Sequence, residues 1–147
     1  HYFIHFRKDP FCEKYSYRMR HPLDIGKMNE AAAYLLGEHD FRCFEKTGGN
    51  NLTSVCTVTE AVWSTYRPTH IEMMGMDCGE GDYIVFRIKA NRFLRNMVRA
   101  IVGSLIEVGR GKRSPEWIAE LVAEGTRSDA GSSVPGNALF FSGAAYK

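Results

Sequence analysis

Arginine and lysine side chains are concentrated between residues 87 and 113. This stretch holds eight of the 19 basic residues and one of the 17 acidic residues, Glu107, so its formal charge is +7. The remaining 11 basic and 16 acidic residues give the rest of the chain a charge of −5. Such a concentration predicts a polyanion, RNA or DNA, that is bound by one face of the molecule. A solvated helix face with surplus arginine is the alternative.

Arg99 differs from the other cations of this stretch because its neighbours Val98 and Ala100 are apolar. It is therefore expected to be partly buried. A guanidinium group that leaves water needs a carboxylate or a phosphate as its partner, and no acidic residue nearby in the chain is an obvious partner. Arg92 and Arg95 are expected either to contact phosphates or to be solvated.

Sequence motifs of common nucleotide-binding, metal-dependent and serine-nucleophile enzymes are absent. The chain has no GxxxxGK[ST], GxGxxG, HExxH or GxSxG string. Its four cysteines include no CxxC pair, so no metal site is expected. A small-molecule enzyme built on His39 and Asp40 is a weaker hypothesis, because a self-capped turn explains the pair and no second catalytic group is evident.

The elements that must position these side chains follow from hydrophobic periodicity. Alternating apolar residues predict strands over residues 2–4, 55–66, 83–90 and 138–146, with 71–76 as a possible continuation of the pairing. A turn is predicted over residues 39–44. These strands follow one another in hairpin-like succession, which indicates mainly antiparallel pairing.

Three helices are predicted between the strands. The first begins after Asp24 as its cap and ends at Gly37, the second spans residues 91–109, and the third spans 114–124. On the second helix, Arg92, Arg95 and Arg99 would fall within about 60° of one another. The fold class is therefore α+β, with a mainly antiparallel sheet and helices packed on one face.

Length and composition indicate one globular domain. The chain has 147 residues, of which 44% are hydrophobic and 24% charged. No apolar run of about 18 residues is present, so no membrane span is expected. A cytoplasmic protein with reduced cysteines is the simplest interpretation. Because the sequence opens with His1 directly before a predicted strand, we interpret it as a fragment of a longer protein.

Short strings along the whole chain resemble one family when they are taken in order. The most specific are Ala90-Asn91-Arg92-Phe93, Met97-Val98-Arg99 and Ile101-Val102-Gly103, supported by Lys8-Asp9-Pro10-Phe11, Pro22-Leu23-Asp24, Val108-Gly109-Arg110-Gly111-Lys112 and Ala138-Leu139-Phe140-Phe141. Together they resemble the C-terminal part of the tRNA pseudouridine synthases of the TruA family. Residues 1–147 would then be the C-terminal domain of such an enzyme and half of its catalytic fold.

This resemblance implies an isomerase that converts uridine to pseudouridine in the tRNA anticodon stem-loop, at tRNA positions 38–40. The target base is flipped out, detached from C1′, rotated and rejoined through C5. One aspartate carries the chemistry without a cofactor or metal. The implied partner is tRNA, no membrane is involved, and the full-length protein would be a homodimer.

The resemblance also implies roles for individual residues. Arg99 matches the arginine that forms a salt bridge with the catalytic aspartate, and Leu139 matches the apolar residue that packs on the flipped base. The residues that match a tRNA-contacting loop are Gly48, Gly49, Asn50 and Asn51. By charge alone, Arg92, Arg95, Arg110 and Lys112 are expected to contact phosphates.

The catalytic aspartate of the family lies in an Arg-Thr-Asp-x-Gly motif, and this chain contains no such string. The base-stacking tyrosine is the first of a Tyr-x-Tyr pair, of which Tyr2 matches the second. The chain is therefore expected to supply tRNA binding and one wall of the active site, and to be inactive alone. The alternative is a non-catalytic RNA-binding or dimerisation module on the same scaffold.

Overall fold

A computed structural model of the chain describes residues 1–46, 53–75, 79, 81–127 and 129–141. These residues form a five-stranded sheet in the order β2-β1-β5-β4-β3. The strands are β1 (Tyr2–His5), β2 (Tyr17–Arg18), β3 (Gly37–Asp40), β4 (Val55–Thr65) and β5 (Tyr83–Ala90). All neighbouring strands are antiparallel except β1 and β2. The predicted α+β class with a mainly antiparallel sheet is confirmed.

Helices cover the sheet and enclose the main core. They are α1 (Ile25–Ala33), α2 (Thr69–Met74), α3 (Met97–Gly109) and α4 (Glu116–Glu124), with 3-10 turns at Arg42–Phe44 and Gly136–Ala138. Helix α1 packs against α3, α4 and β4, and α4 also packs against β3. Helix α3 is apolar on most sides because it lies in the core, where 11 of its residues are buried.

The pairing of β4 with β5 sets which side chains enter the core. Trp63 lies opposite Phe86 with their rings stacked at 4.9 Å, and Ala61 lies opposite Ile88. The alternate residues of β5, including Arg87, point to the opposite face of the sheet. An irregularity in the register of β4 between Val58 and Glu60 interrupts the alternation.

Residues 71–74, which the sequence offered as part of a possible continuation of the strand pairing over 71–76, lie instead in helix α2, so that interpretation is wrong. Pro68 is extended at its N-cap, and Gly75 ends it in the left-handed conformation with φ 63°. Six residues are too few for hydrophobic periodicity to separate helix from strand. Ile71 of this helix packs with Cys12 and Tyr83 in a second, smaller apolar cluster.

The buried carboxylate of Asp9 links the segments around this second cluster by hydrogen bonds. Asp9 accepts hydrogen bonds from Tyr83 Oη at 2.7 Å, His70 Nε2 at 2.6 Å and the backbone N–H of Phe11 at 3.0 Å. Burial alone would raise the pKa of Asp9, but the hydrogen bonds outweigh it and lower the pKa to about 2. The ionised carboxylate thus ties α2 and β5 to the loop after β1.

Other predicted boundaries also shift. Asp24 caps α1 as predicted, accepting from the Lys27 N–H at 3.1 Å. The helix ends at Ala33, however, and Gly37, predicted to end it, has φ 99° and is the first residue of β3. Strand β3 overlaps the turn predicted over residues 39–44 at His39 and Asp40. Of the predicted last strand, Leu139 forms a single bridge to Tyr2, and residues 142–146 lie outside the described part of the chain.

Among the described helices, none has the length and apolar character needed to cross a lipid bilayer.

Candidate functional site

The segment before α3 is not helical, contrary to the prediction of one helix over residues 91–109. Asn91 bonds to Thr57 through both its backbone N–H and its side chain, at 3.0 Å and 2.8 Å, and so extends the sheet. Asn96 has a left-handed backbone with φ 66°, which cannot continue a helix. The helix therefore begins at Met97, and Arg92 and Arg95 do not share a helical edge with Arg99.

The three arginines consequently have different surroundings. Arg92 is half-buried, and its Nη1 donates to the Thr53 carbonyl at 3.2 Å. The Arg95 carbonyl accepts from the backbone N–H of Lys46 at 3.0 Å, which brings a further cation to the start of α3. Arg95 and Arg99 both line one cavity, whereas Arg92 is not among its lining residues.

This cavity has a volume of about 360 Å³ and lies at the N-terminal end of α3. We call it the α3 cavity. Its lining residues are Lys46, Phe93, Leu94, Arg95, Asn96, Met97, Val98, Arg99, Leu139 and Phe141. Three of these are cationic and none of the lining residues within the described ranges is acidic. The arrangement favours an anion held beside an apolar surface.

Arg99 is half-buried, as its neighbours predicted. Its Nε donates to the Val134 carbonyl at 2.8 Å, and the Val134 N–H donates back to the Arg99 carbonyl at 3.2 Å. No acidic residue in the described part of the chain forms an ion pair with Arg99. The two terminal nitrogens likewise have no acceptor among these residues, so they can bind a carboxylate or phosphate that enters the cavity.

Leu139 reaches the same cavity from the other end of the chain. Its backbone bridges Tyr2 of β1, and its side chain is half-buried. The Tyr2 Oη donates to the Pro135 carbonyl at 2.7 Å, and burial raises the pKa of Tyr2, so the phenol stays a neutral donor. The structure thereby brings together Arg99 and Leu139, which are 40 positions apart in sequence.

Arg110 and Lys112 lie at a second cavity of about 260 Å³. Its other lining residues include Tyr17, Glu107 and residues 132–135. The basic stretch predicted from sequence is therefore divided between two sites along α3. The four residues predicted to match a tRNA-contacting loop lie outside the described residues. They are Gly48, Gly49, Asn50 and Asn51.

Sequence reasoning did not predict seven of the ten residues that line the α3 cavity, among them Lys46, Phe93 and Phe141. The apolar spacing of the helix predicted over residues 91–109 places Phe93 on its core face. In the structure its ring lies 5.8 Å from that of Phe141, whose side chain is 71% exposed. Lys46 directly precedes the glycine-rich residues 47–51, and that position was the one available signal.

The weaker hypothesis of a His39–Asp40 acid–base pair has no support from the geometry. The two residues are neighbours in β3, so their side chains point to opposite faces. His39 Nε2 lies 2.7 Å from the Leu36 carbonyl. Asp40 accepts from the Arg42 N–H at 3.1 Å and pairs with its side chain at 3.8 Å.

The fold and the α3 cavity together define an α+β domain with a cationic, partly apolar site. A family profile described as tRNA pseudouridine synthase matches residues 31–147. The chain belongs to the tRNA pseudouridine synthase family, as its sequence resemblance predicted.

Curated relatives agree with this family. The tRNA pseudouridine synthase A of Bacteroides fragilis is 44% identical over 140 residues, which are 95% of this chain and 50% of the relative. That of Bacteroides thetaiotaomicron is 44% identical over 139 residues, covering 95% and 48%. That of Porphyromonas gingivalis is 40% identical over 146 residues, covering 99% and 53%. The chain spans about half the length of these relatives.

Proposed function

We propose that this chain is the C-terminal domain of a tRNA pseudouridine synthase and forms one wall of its active site. The observation that carries the proposal is the convergence of Arg99 and Leu139 on the α3 cavity. The guanidinium group of Arg99 can bind a carboxylate, and the apolar side chain of Leu139 can pack against an uncharged base beside that carboxylate. Both residues match the family positions for those two roles.

In this proposal Arg99 binds the catalytic aspartate, which the rest of the full-length protein supplies. The guanidinium keeps the carboxylate ionised at neutral pH and fixes its orientation through two parallel hydrogen bonds. The Val134 carbonyl already holds Nε, so less conformational entropy is lost when the terminal nitrogens bind the carboxylate.

Leu139 packs against the flipped uracil, and Phe93 and Phe141 extend the apolar side of the cavity. The reaction breaks the N1–C1′ bond and forms a C5–C1′ bond. C5 loses its proton and N1 gains one, so the product is an isomer of the substrate. Flipping costs a few kcal/mol, which stacking and phosphate contacts must offset. Arg95 lies where it can contact the phosphates beside the flipped nucleotide, and we add Lys46 to the predicted set.

The proposed tRNA contacts also include Arg92, Arg110 and Lys112, together with residues 48–51, which the sequence predicts to touch tRNA. Arg110 and Lys112 lie at the second cavity and so would bind the backbone at a distance from the target base. Contacts of this kind add affinity and register without reading sequence. We further propose a cytoplasmic homodimer for the full-length protein; sedimentation equilibrium at several concentrations tests the dimer.

The decisive experiment is turnover by the full-length protein. Unmodified tRNA carrying tritium at uridine C5 is incubated with it, and released tritium is measured, because the new C5–C1′ bond displaces that atom. Release with pseudouridine mapped to the anticodon stem-loop supports the proposal. Tight tRNA binding without release supports the non-catalytic RNA-binding module instead.

A further inference from the structure

A short segment holds Arg99 in place and is itself fixed by residues outside the α3 cavity. Residues 131–136, which we call the strap, run along α3. The Gly131 N–H donates to Ser104 Oγ at 2.9 Å, and Val134 exchanges two hydrogen bonds with Arg99. A Cβ on Gly103 would lie 1.8 Å from the Ser132 carbonyl oxygen, so strap and helix backbones are in direct contact.

Arg127 binds the strap at two points. Its Nη1 donates to the Gly131 carbonyl at 2.9 Å, and its Nη2 donates to Ser133 Oγ at 2.8 Å. Asn96 Nδ2 donates to the same hydroxyl at 2.5 Å. Within the described residues Arg127 has no ion pair, so a half-buried cation is held by neutral acceptors alone.

These contacts connect Arg127 to the guanidinium group of Arg99. Arg127 fixes Ser133, and Ser133 adjoins Val134, whose carbonyl accepts from Arg99 Nε. An arginine side chain has several rotatable bonds, and one hydrogen bond to Nε sets the plane of its guanidinium group. If the strap shifted by about 1 Å, the plane would turn with it, and such a displacement can cost about 100-fold in rate.

We propose that Arg127, acting through Ser133 and the strap, is a positioning residue for Arg99. This inference rests on the proposed function, in which Arg99 orients the catalytic carboxylate. A direct phosphate contact by Arg127 is disfavoured, because both of its terminal nitrogens already bind the strap. Asn96 supports the same hydroxyl, and its side chain is free to do so because it makes no capping bond to α3.

The test uses single turnover by the full-length protein at saturating tRNA, with tRNA affinity measured separately. Arg127→Ala should slow the chemical step by about 10- to 100-fold and change Kd by less than about threefold. Arg127→Lys should stay impaired, because an ammonium group cannot bridge both acceptors. The matched control is Arg67→Ala, which removes one charge and a surface contact to Glu72 and should retain the wild-type rate.

A double variant separates positioning from general stability. If Arg127 acts through Arg99, the Arg99→Ala/Arg127→Ala protein turns over no more slowly than Arg99→Ala alone. The inference would be overturned if the rate loss of the double variant equalled the product of the two single losses. It would also be overturned if Arg127→Ala kept a normal rate or lost only tRNA affinity. Should Arg127→Ala unfold, Ser133→Ala removes only the shared hydroxyl and should slow the same step by about 3- to 10-fold, a smaller loss than that of Arg127→Ala.

A spectroscopic measurement makes the test independent of turnover. In protein with ¹⁵N-labelled arginine, the Arg99 Nε–H should exchange slowly with solvent in wild type and at least about tenfold faster in Arg127→Ala. Equal exchange rates would overturn the inference. An inactive wild type that shows the expected exchange difference would refute the proposed function and leave the positioning contact intact.

Discussion

Removal of the Arg99 side chain is the most direct test of the proposed active-site wall. Arg99→Ala deletes the hydrogen bond from Arg99 Nε to the Val134 carbonyl and enlarges the α3 cavity. Alanine is a good helix former, so α3 itself should persist. One lost hydrogen bond costs about 0.5–1.5 kcal/mol of unfolding free energy. The variant should therefore fold.

The expected loss in catalysis is larger than this loss in stability. Removing one preorganised charged group from an active site lowers kcat by about 100- to 1,000-fold. The tRNA contacts of Arg95, Lys46 and the second cavity stay in place, so Kd should change by less than about threefold, in line with one weakened contact among many. Arg99→Lys should also be slow, because a point charge does not replace a two-pronged hydrogen-bond donor.

A pH profile adds a second readout. An arginine next to a carboxylate lowers its pKa by about 1–3 units. Without Arg99 the pKa of the catalytic aspartate rises, so activity is lost at a higher pH as the solution is acidified. The acid limb of the rate profile should shift to higher pH by about 1–3 pH units in Arg99→Ala.

The assay is single-turnover tritium release by the full-length protein across pH, with tRNA affinity from filter binding. Leu139→Ala is a useful companion, since it changes the same cavity without altering charge and should leave the acid limb in place. Near-normal turnover of Arg99→Ala together with weak tRNA binding would refute the reasoning. Arg99 would then be a phosphate contact.

Four further outcomes are expected. The 147-residue chain alone should make no pseudouridine from unmodified tRNA, and modification above background in a mapping experiment would contradict this. Reversal of Arg92, Arg95 and Lys112 to Glu should weaken binding to all RNAs, and each lost phosphate contact should reduce the salt slope by about 0.7–0.9 in binding titrations. Asp9→Asn should lower unfolding free energy by about 2 kcal/mol at pH 7. Because the pKa of Asp9 is lowered from 3.8 to about 2, this difference should shrink as pH falls through that range in thermal melts, and a constant difference would argue against the network. Gly103→Ala should lower the unfolding free energy by about 1–3 kcal/mol by displacing the strap, and an unchanged unfolding free energy in denaturant melts would argue against that close contact.

Much of the sheet could be predicted from sequence because strand patterns are local. Alternating apolar residues placed β1, β4 and β5 within one or two residues of their observed bounds. The Asp24 cap is also local, since its acceptor and donor lie three positions apart. Family membership followed from short strings in a fixed order, which need no knowledge of contacts.

The start of α3 shows where local patterns fail. Apolar spacing continues back to Phe93, so a helix from Asn91 was reasonable. The pairing of Asn91 with Thr57 and the left-handed backbone of Asn96 override that spacing, and both depend on partners distant in sequence. As a result, Arg92 and Arg95 do not lie on the helical edge where they were predicted.

The sequence by itself determined the class of fold, the main strands and the unusual apolar setting of Arg99. Only the tertiary structure decided that Arg99 and Leu139 meet in one cavity, that Lys46 joins them, and that Arg127 reaches the strap. The physical reason is range. Periodicity and caps act between residues a few positions apart, whereas a cavity is formed by side chains that sheet pairing and helix packing bring together from distant parts of the chain.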